Sequence, residues 1–290
     1  MRILVTGAKG QLGVELLDVL GQGHDVLGLD LPELDITNPS ATRVIADARP
    51  AWVVHAAAWT DVDGCERDPG RAFLVNGEGT RRVAEACRAV GAGLVYLSTD
   101  YVFDGQKNAP YVETDPVAPL SVYARSKVAG EEAVRAVAPR WAIVRTAWLF
   151  GVSGKNFVKT IVEKGAAGGP LRVVDDQVGC PTYARDLAEA IQHLVSRELT
   201  GIYHVTNAGS CSWHAFARAI LKEAGLAHVP VAPMTTAELG RPAPRPAFSV
   251  LANHGWAAAG LPPLRPWPEA LADMLAAWKK TDAFPSFRHS

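Results

Sequence analysis

The chain has 290 residues, 48% hydrophobic and 20% charged, with a formal net charge of −1 at pH 7. Those values describe a soluble globular fold with a sizeable core and lack the basic footprint of a nucleic-acid or anionic-membrane binder. No apolar run nears the roughly 20 residues of a spanning helix, Met1 leads into the strand-like "RILVTG" rather than a secretory leader, and the four cysteines (65, 87, 180 and 211) form no CxxC pair. Reduced, mostly buried thiols in a cytoplasmic protein are expected.

In chain order, strand and helix alternate. "RILVTG" predicts a first strand, "QLGVELLDVLGQG" a helix stopped by glycine, and "DVLGLD" a second strand. "PSATRVIADARP" predicts a helix, "AWVVHAAA" a third strand, "FLVNGEGTRRVAEACRAVGA" one long helix and "GLVYLSTD" a fourth strand. A helix over Ser121 to Val137 and a fifth strand in "WAIVRTAWLFG" follow. The strands are continuously apolar, as required when helices cover both faces of a parallel sheet. The expected fold is therefore α/β, a doubly wound parallel sheet of Rossmann type.

Past Gly151 the rhythm loosens. "NFVKTIVEKGAAG" predicts a helix, "LRVVDDQVGCPT" a strand and loop, "YARDLAEAIQHLVSRE" a helix and "GIYHVTN" a strand; Pro and Trp become frequent after Ala208. The expected division is a dinucleotide-binding domain of residues 1–150, joined by returning segments over about 170–207. A smaller substrate-binding lobe takes about 151–169 and 208–290. The tail "TDAFPSFRHS" is expected to fray in part.

"GAKGQLG" sets glycines at 7, 10 and 13 after the first strand and at the start of a helix. Glycine lets a ligand approach the backbone closely, and the helix N-terminus presents N–H groups and a positive dipole end to a pyrophosphate. Asp30 ends the second strand, placed to accept hydrogen bonds from adenosine ribose hydroxyls. An acid there repels a 2′-phosphate and favours NADH over NADPH, while Lys9 in the loop offsets part of that charge. Asp35 and Ile36 follow where an adenine edge fits, and the small Ala56–Ala58 run leaves room for a cofactor over the sheet.

"STDYVFDG" closes the fourth strand, so Ser98, Thr99 and Asp100 stand at the carboxyl edge where open α/β sheets bind ligands. "VYARSKVAGEE" then sets Tyr123 one helical turn before Lys127. A phenol with pKa near 10 is a poor acid at neutral pH, and an adjacent ammonium is expected to lower it. Tyr123 is the expected proton donor to a carbonyl oxygen, with Lys127 also reaching the nicotinamide ribose.

"TGAKGQLG", "STDYVF" and "YARSKVAGE" together resemble the extended short-chain dehydrogenase/reductase family, whose glycine loop has this wider GxxGxxG spacing. Within it, "LDITNP", "AAWTDVDGCE", "RTAWLFG", "DQVGCPT" and "RPAFSVL" resemble the dTDP-4-dehydrorhamnose reductase branch, over most of the chain. That resemblance implies reduction of the 4-keto group of dTDP-4-dehydro-6-deoxy-L-mannose to dTDP-L-rhamnose with NADH or NADPH. It implies Thr99, Tyr123 and Lys127 as the catalytic set, and Thr99, Asp100, Tyr123 and Trp148 as contacts of the sugar. For the cofactor it implies Gly7, Gly10, Gln11, Leu12, Asp30, Asp35, Ile36, Ala57, Ala58 and Trp59, with Tyr123 and Lys127 shared; Trp59 departs from the smaller or imidazole side chain usual there.

Some relatives in that family dimerise through a magnesium ion on glutamates. Glu15 matches one such ligand but lacks a cluster of partners, so no metal is expected, in a monomer or a homodimer. Arg241, Arg245 and Arg265 are candidates for the nucleotide diphosphate. Two other readings stay open: a non-catalytic NAD(P)-binding regulatory subunit like that of methionine adenosyltransferase, and a nucleotide-sugar epimerase.

Overall fold

Six parallel strands order the molecule and bring their carboxyl ends to one edge. In the computed structural model, which describes residues 1–285, they are β1 (Arg2–Thr6), β2 (Asp25–Leu29), β3 (Trp52–His55), β4 (Gly93–Thr99), β5 (Arg140–Thr146) and Gly201–His204. The order across the sheet is β2-β1-β3-β4-β5 and then Gly201–His204, with Thr6 level with His55 and Thr99 level with Thr146. The central strands β1, β3 and β4 are apolar along most of their length because both faces are covered. Ile3, Val5, Val54, Val95 and Val144 pack against the helices Gln11–Gly21 and Ala184–Ser196. Their alternating neighbours Leu4, Val53, Leu94 and Ile143 pack against Ala41–Asp47, Thr80–Val90 and Val122–Val137. The doubly wound parallel sheet expected from sequence is the fold observed.

A second core lies beyond β5. Phe150, Val158, Val162, Phe216, Ile220, Leu271, Met274 and Trp278 cluster there, on the helices Phe157–Ala166, Trp213–Glu223 and Trp267–Trp278. Leu171–Val174 pairs with Val231–Met234 in this layer, whereas Gly201–His204 returns to the central sheet. The frayed end expected past Thr281 falls partly on residues 286–290, outside the described residues. Among the described residues no helix is long and apolar enough to cross a membrane. Cys65, Cys87 and Cys180 are buried, and all four thiols are free.

Two elements differ from the sequence reading. The single helix expected over "FLVNGEGTRRVAEACRAVGA" is instead Pro69–Phe73, a π-helical segment Leu74–Gly79, and then Thr80–Val90. "VNGEGT" holds poor helix formers, and Asn76 within it directs its side chain to other elements, the kind of local rewinding found at functional sites. The fifth strand is also shorter than "WAIVRTAWLFG" suggests. It stops at Thr146 because Trp148 takes a left-handed backbone (φ 46°), after which Leu149–Phe150 pairs with Thr182–Tyr183.

One buried ion pair joins sheet and helix. Arg145 on β5 makes a bidentate contact with Glu131 of the Val122–Val137 helix (2.9 and 2.8 Å), and the Ser98 hydroxyl of β4 donates to the same carboxylate at 2.6 Å. Both charged side chains are almost fully removed from solvent. Deleting one partner leaves the other charge buried alone, so Glu131→Ala is expected to lower unfolding free energy by about 3–5 kcal/mol in urea titrations. Replacing both charges, Glu131→Leu with Arg145→Met, is expected to recover most of that loss.

Candidate active site

A trough crosses the carboxyl edge of the sheet. Its half beside the end of β2, about 630 Å³, is lined by Asp30, Asp35, Ile36, Ala57, Trp59 and Arg71. Its other half, about 470 Å³, is lined by Gln11, Leu12, Thr99, Asp100, Tyr123, Lys127 and Trp148, and the two halves share Gly7, Gly10, Ala56 and Ala58. The structure thus brings together along one trough the residues expected from sequence at the glycine loop, the end of β2 and the Thr99–Tyr123–Lys127–Trp148 set, but not the three candidate phosphate arginines.

The glycine loop forms its waist. Gly7 is left-handed (φ 68°), and a Cβ there would lie 2.7 Å from the Ala57 nitrogen; one on Gly13 would lie 2.1 Å from the Gly7 carbonyl oxygen. These glycines let the loop, the Gln11–Gly21 helix and β3 close tightly together, with the helix N-terminus opening into the trough. Asp30 accepts from the Lys9 and Leu31 backbone nitrogens, both at 2.8 Å, which fixes its carboxylate at the end of β2. The Lys9 amine reaches the Leu31 carbonyl (2.7 Å) and Glu33 (3.2 Å), so its charge is shared with an acid. Asp35 is held by the backbone and hydroxyl of Thr37, which lower its pKa.

Trp59 is clamped by a residue that sequence reasoning missed. Asn76 accepts from the Trp59 nitrogen (2.8 Å) and donates to the Trp59 carbonyl (3.1 Å) and the Ser126 hydroxyl (2.9 Å). The clamp sits within the rewound segment Leu74–Gly79. An asparagine among glycines in "VNGEGT" is the sequence signal for it. The Arg71 guanidinium lies over the Trp59 ring, 4.6 Å from its centroid, which gives the unusual tryptophan its contact.

In the catalytic half, Ser121 caps the Val122–Val137 helix by accepting from the Ala124 nitrogen, and the first turn delivers Tyr123 to the trough. The phenol shares its cavity with Thr99, whose hydroxyl donates to Asp100 at 3.0 Å. Asp100 is buried, and burial pushes its carboxyl up to about 7, although Ser249 donates to it at 2.5 Å. Ser249 belongs to "RPAFSVL", far along the chain, and nothing local in the sequence announces its partner.

The electrostatics correct one expectation. Lys127 does not acidify Tyr123. Its amine donates to the Leu97 carbonyl at 2.7 Å above the Tyr96 ring, and burial pushes it down to about 7. Tyr123 is shifted upward instead, first by burial and then by the nearby Asp100 carboxylate. Ser98 is also diverted, since its hydroxyl serves Glu131.

Trp148 stacks on Trp213, with centroids 3.5 Å apart and planes 9° from parallel, and its ring covers Gly179 so closely that a Cβ there would lie 2.5 Å away. A loop from the second layer closes the waist: Asn156 donates to the Gln11 side chain and to the Gly151 carbonyl, both at 2.8 Å. The three candidate phosphate arginines line neither half of the trough. Arg241 and Arg245 bind Asp63 at 3.0 and 3.1 Å, and Arg265 is paired with Asp186 and Asp273. Glu15 lies 3.4 Å from Arg185, which also pairs with Asp18 and Glu189.

Residues 1–280 match the family model described as "RmlD substrate binding domain". A dTDP-4-dehydrorhamnose reductase of Streptomyces griseus is 48% identical over 95% of this chain and 93% of its own length. One of Mycobacterium tuberculosis is 46% identical over 95% and 93%. A crystal structure of dTDP-4-dehydrorhamnose reductase from Bacillus anthracis in complex with NADP superposes with a TM-score of 0.93 at 41% identity, covering 95% of this chain and 99% of that one.

The Asp100 carboxyl generates a pH prediction. Its pKa is raised on folding, so between about pH 4 and 7 the folded protein holds a proton that the unfolded chain has lost. Stability then falls as pH rises through that window, by up to about 1.4 kcal/mol per unit. Asp100→Asn removes the ionisation. Its stability relative to the parent protein, measured by chemical denaturation, is expected to improve steadily from pH 4 to 7 and then level off.

Proposed function

The chain belongs to the RmlD substrate binding domain family, that of the dTDP-4-dehydrorhamnose reductases, and from that premise we propose how its own residues carry out the family's reaction. The protein is an NAD(P)H-dependent oxidoreductase that reduces the 4-keto group of dTDP-4-dehydro-6-deoxy-L-mannose to give dTDP-L-rhamnose. The observation that carries this reading is the placing of Thr99, Tyr123, Lys127 and Trp148 in one cavity that shares its wall with the glycine loop.

The residues fit a dinucleotide. The Gly7–Gly13 cradle and the Gln11–Gly21 helix N-terminus suit a pyrophosphate, and Asp30 at the end of β2 suits ribose hydroxyls. Bound there, the cofactor supplies a hydride. The protein supplies the proton. Tyr123, kept neutral by its raised pKa, holds that proton until the carbonyl oxygen gains charge, with the Thr99 hydroxyl in the same cavity. Lys127 lines the same cavity and would hold the nicotinamide ribose; in its charged form it would also offset the charge left on Tyr123. Trp148, backed by Trp213, offers a flat apolar wall to a deoxysugar. Asp63 holds Arg241 and Arg245, joining the segment after β3 to the C-terminal part of the chain.

An intact proton donor next to the hydroxyl of Thr99 favours an enzyme over a purely regulatory subunit, and net consumption of NADH separates a reductase from an epimerase. The near-neutral charge and scattered thiols support a cytoplasmic setting without a nucleic-acid partner. The dinucleotide-binding part is residues 1–150 with the returning segment that carries Ala184–Ser196 and Gly201–His204; Leu171–Val174, expected with it, packs instead in the second layer.

Tyr123→Phe is expected to lower kcat for dTDP-4-keto-sugar-dependent NADH oxidation by about 10²–10⁴-fold, with NADH affinity near that of the parent protein; a variant of normal turnover refutes the assigned role. For Asp30, initial rates with NADH and NADPH in one assay are expected to favour NADH, and Asp30→Ala to narrow the gap.

A further inference from the structure

Three charged side chains line the catalytic half of the trough: Asp100, Lys127 and Lys155. The first two are engaged. Asp100 accepts from Thr99 and Ser249, and the buried amine of Lys127 donates to the Leu97 carbonyl. Lys155 differs from both, being exposed, with neither an ion-pair nor a hydrogen-bond partner for its amine among the described residues. It belongs to the loop between Leu149–Phe150 and the helix Phe157–Ala166, and that loop is laid against the glycine loop. Gly154 takes a left-handed backbone (φ 69°), and a Cβ there would lie 3.4 Å from the Gln11 Cβ and 3.8 Å from the Gln11 nitrogen. Asn156, on the other side of Lys155, donates to the Gln11 side chain at 2.8 Å. Both chain neighbours of Lys155 are thus fixed at Gln11, the first residue of the Gln11–Gly21 helix.

Resting on the proposed reductase reading, we propose that Lys155 is a cofactor-binding residue whose ammonium pairs with the pyrophosphate of the dinucleotide from the side of the second layer. A pyrophosphate carries a negative charge on each phosphate, and a helix N-terminus meets it with only about half an elementary positive charge. The Gly7–Gly13 cradle adds close backbone approach but no formal charge. The acids Asp30, Asp35 and Asp100 along the trough oppose an anion. Lys155 is the cation that flanks the cradle. Its neighbour Gly154 lies against Gln11, consecutive Cα atoms are about 3.8 Å apart, and a lysine ammonium rides on a flexible four-carbon stem that spans such a step. A dTDP-sugar carries a diphosphate as well. The cofactor is favoured because the loop is fastened at Gln11, within the cradle, and not at Trp148, the wall assigned to the deoxysugar. The helix that follows the loop belongs to the second core, so this pair ties the two layers together across the cofactor.

The test uses the full chain as Lys155→Met, which keeps an unbranched side chain and removes the charge, and as Lys155→Arg, which keeps a charge. Three readouts are taken: the binary NADH Kd by fluorescence titration at low and high NaCl, the binary dTDP Kd by calorimetry, and thermal melting without ligand. Lys155→Met is expected to raise the NADH Kd about three- to six-fold at low salt, and Lys155→Arg to restore most of the affinity. Salt screens an exposed charge pair, so the gap between the parent protein and Lys155→Met is expected to narrow at high salt. The dTDP Kd and the melting temperature are expected to stay near those of the parent, since the amine has no partner in the ligand-free fold among the described residues. An unchanged NADH Kd overturns the proposal, whether the dTDP Kd stays the same or rises alone, the latter assigning the ammonium to the sugar nucleotide. A raised NADH Kd that persists undiminished at high salt, or that Lys155→Arg leaves unrestored, also overturns it, because the loss is then one of loop shape. Parent protein that binds neither NADH nor NADPH removes the reductase reading itself, a result distinct from any behaviour of the variants.

Discussion

The site depends on one buried carboxylate. Glu131 receives the Ser98 hydroxyl from β4 and both guanidinium contacts from Arg145 on β5, so a single side chain pins the Val122–Val137 helix to two adjacent strands. Apolar packing alone tolerates small slides of a helix over a sheet. A bidentate charged pair does not, because a shift strands two charges out of water. The helix is held in this way eight residues after Tyr123, and Thr99 directly follows Ser98. The placing of Tyr123 and Thr99 in one cavity thus inherits its precision from this polar network.

Burial dominates the charge balance around the phenol. A neighbouring ammonium acidifies a tyrosine only when it is charged and close, and here burial weakens the charge of Lys127 while its amine turns to the Leu97 carbonyl. Asp100 acts in the opposite sense on Tyr123. A proton donor that must not ionise early gains from this arrangement. His55 beneath the trough follows the same rule: fully buried between Thr6 and Thr80, it is pushed down to about 3 and stays neutral.

The two layers are stitched together where the ligands meet. Ser249 reaches Asp100, Asn156 reaches Gln11, Trp213 backs Trp148, and Asp63 holds two arginines of the "GRPAPRP" loop. Each contact joins a residue at or beside the carboxyl edge of the sheet to one later in the chain. The left-handed backbone of Trp148 marks the same boundary, since the chain must leave the sheet there and still present the ring to the cavity.

The sequence by itself determined the alternating elements, the parallel sheet and the residues along the trough. Strand apolarity, glycine spacing and the one-turn separation of Tyr123 from Lys127 are local patterns, and local patterns follow from backbone geometry. Only the tertiary structure decided which charge acts on which group. Asn76 on Trp59, Ser249 on Asp100 and Arg145 on Glu131 are pairs distant in sequence or split between elements, and their energies come from a burial that no short stretch encodes. Lys127 was legible as a residue but not as an electrostatic partner, because its pKa depends on the depth to which the fold buries it.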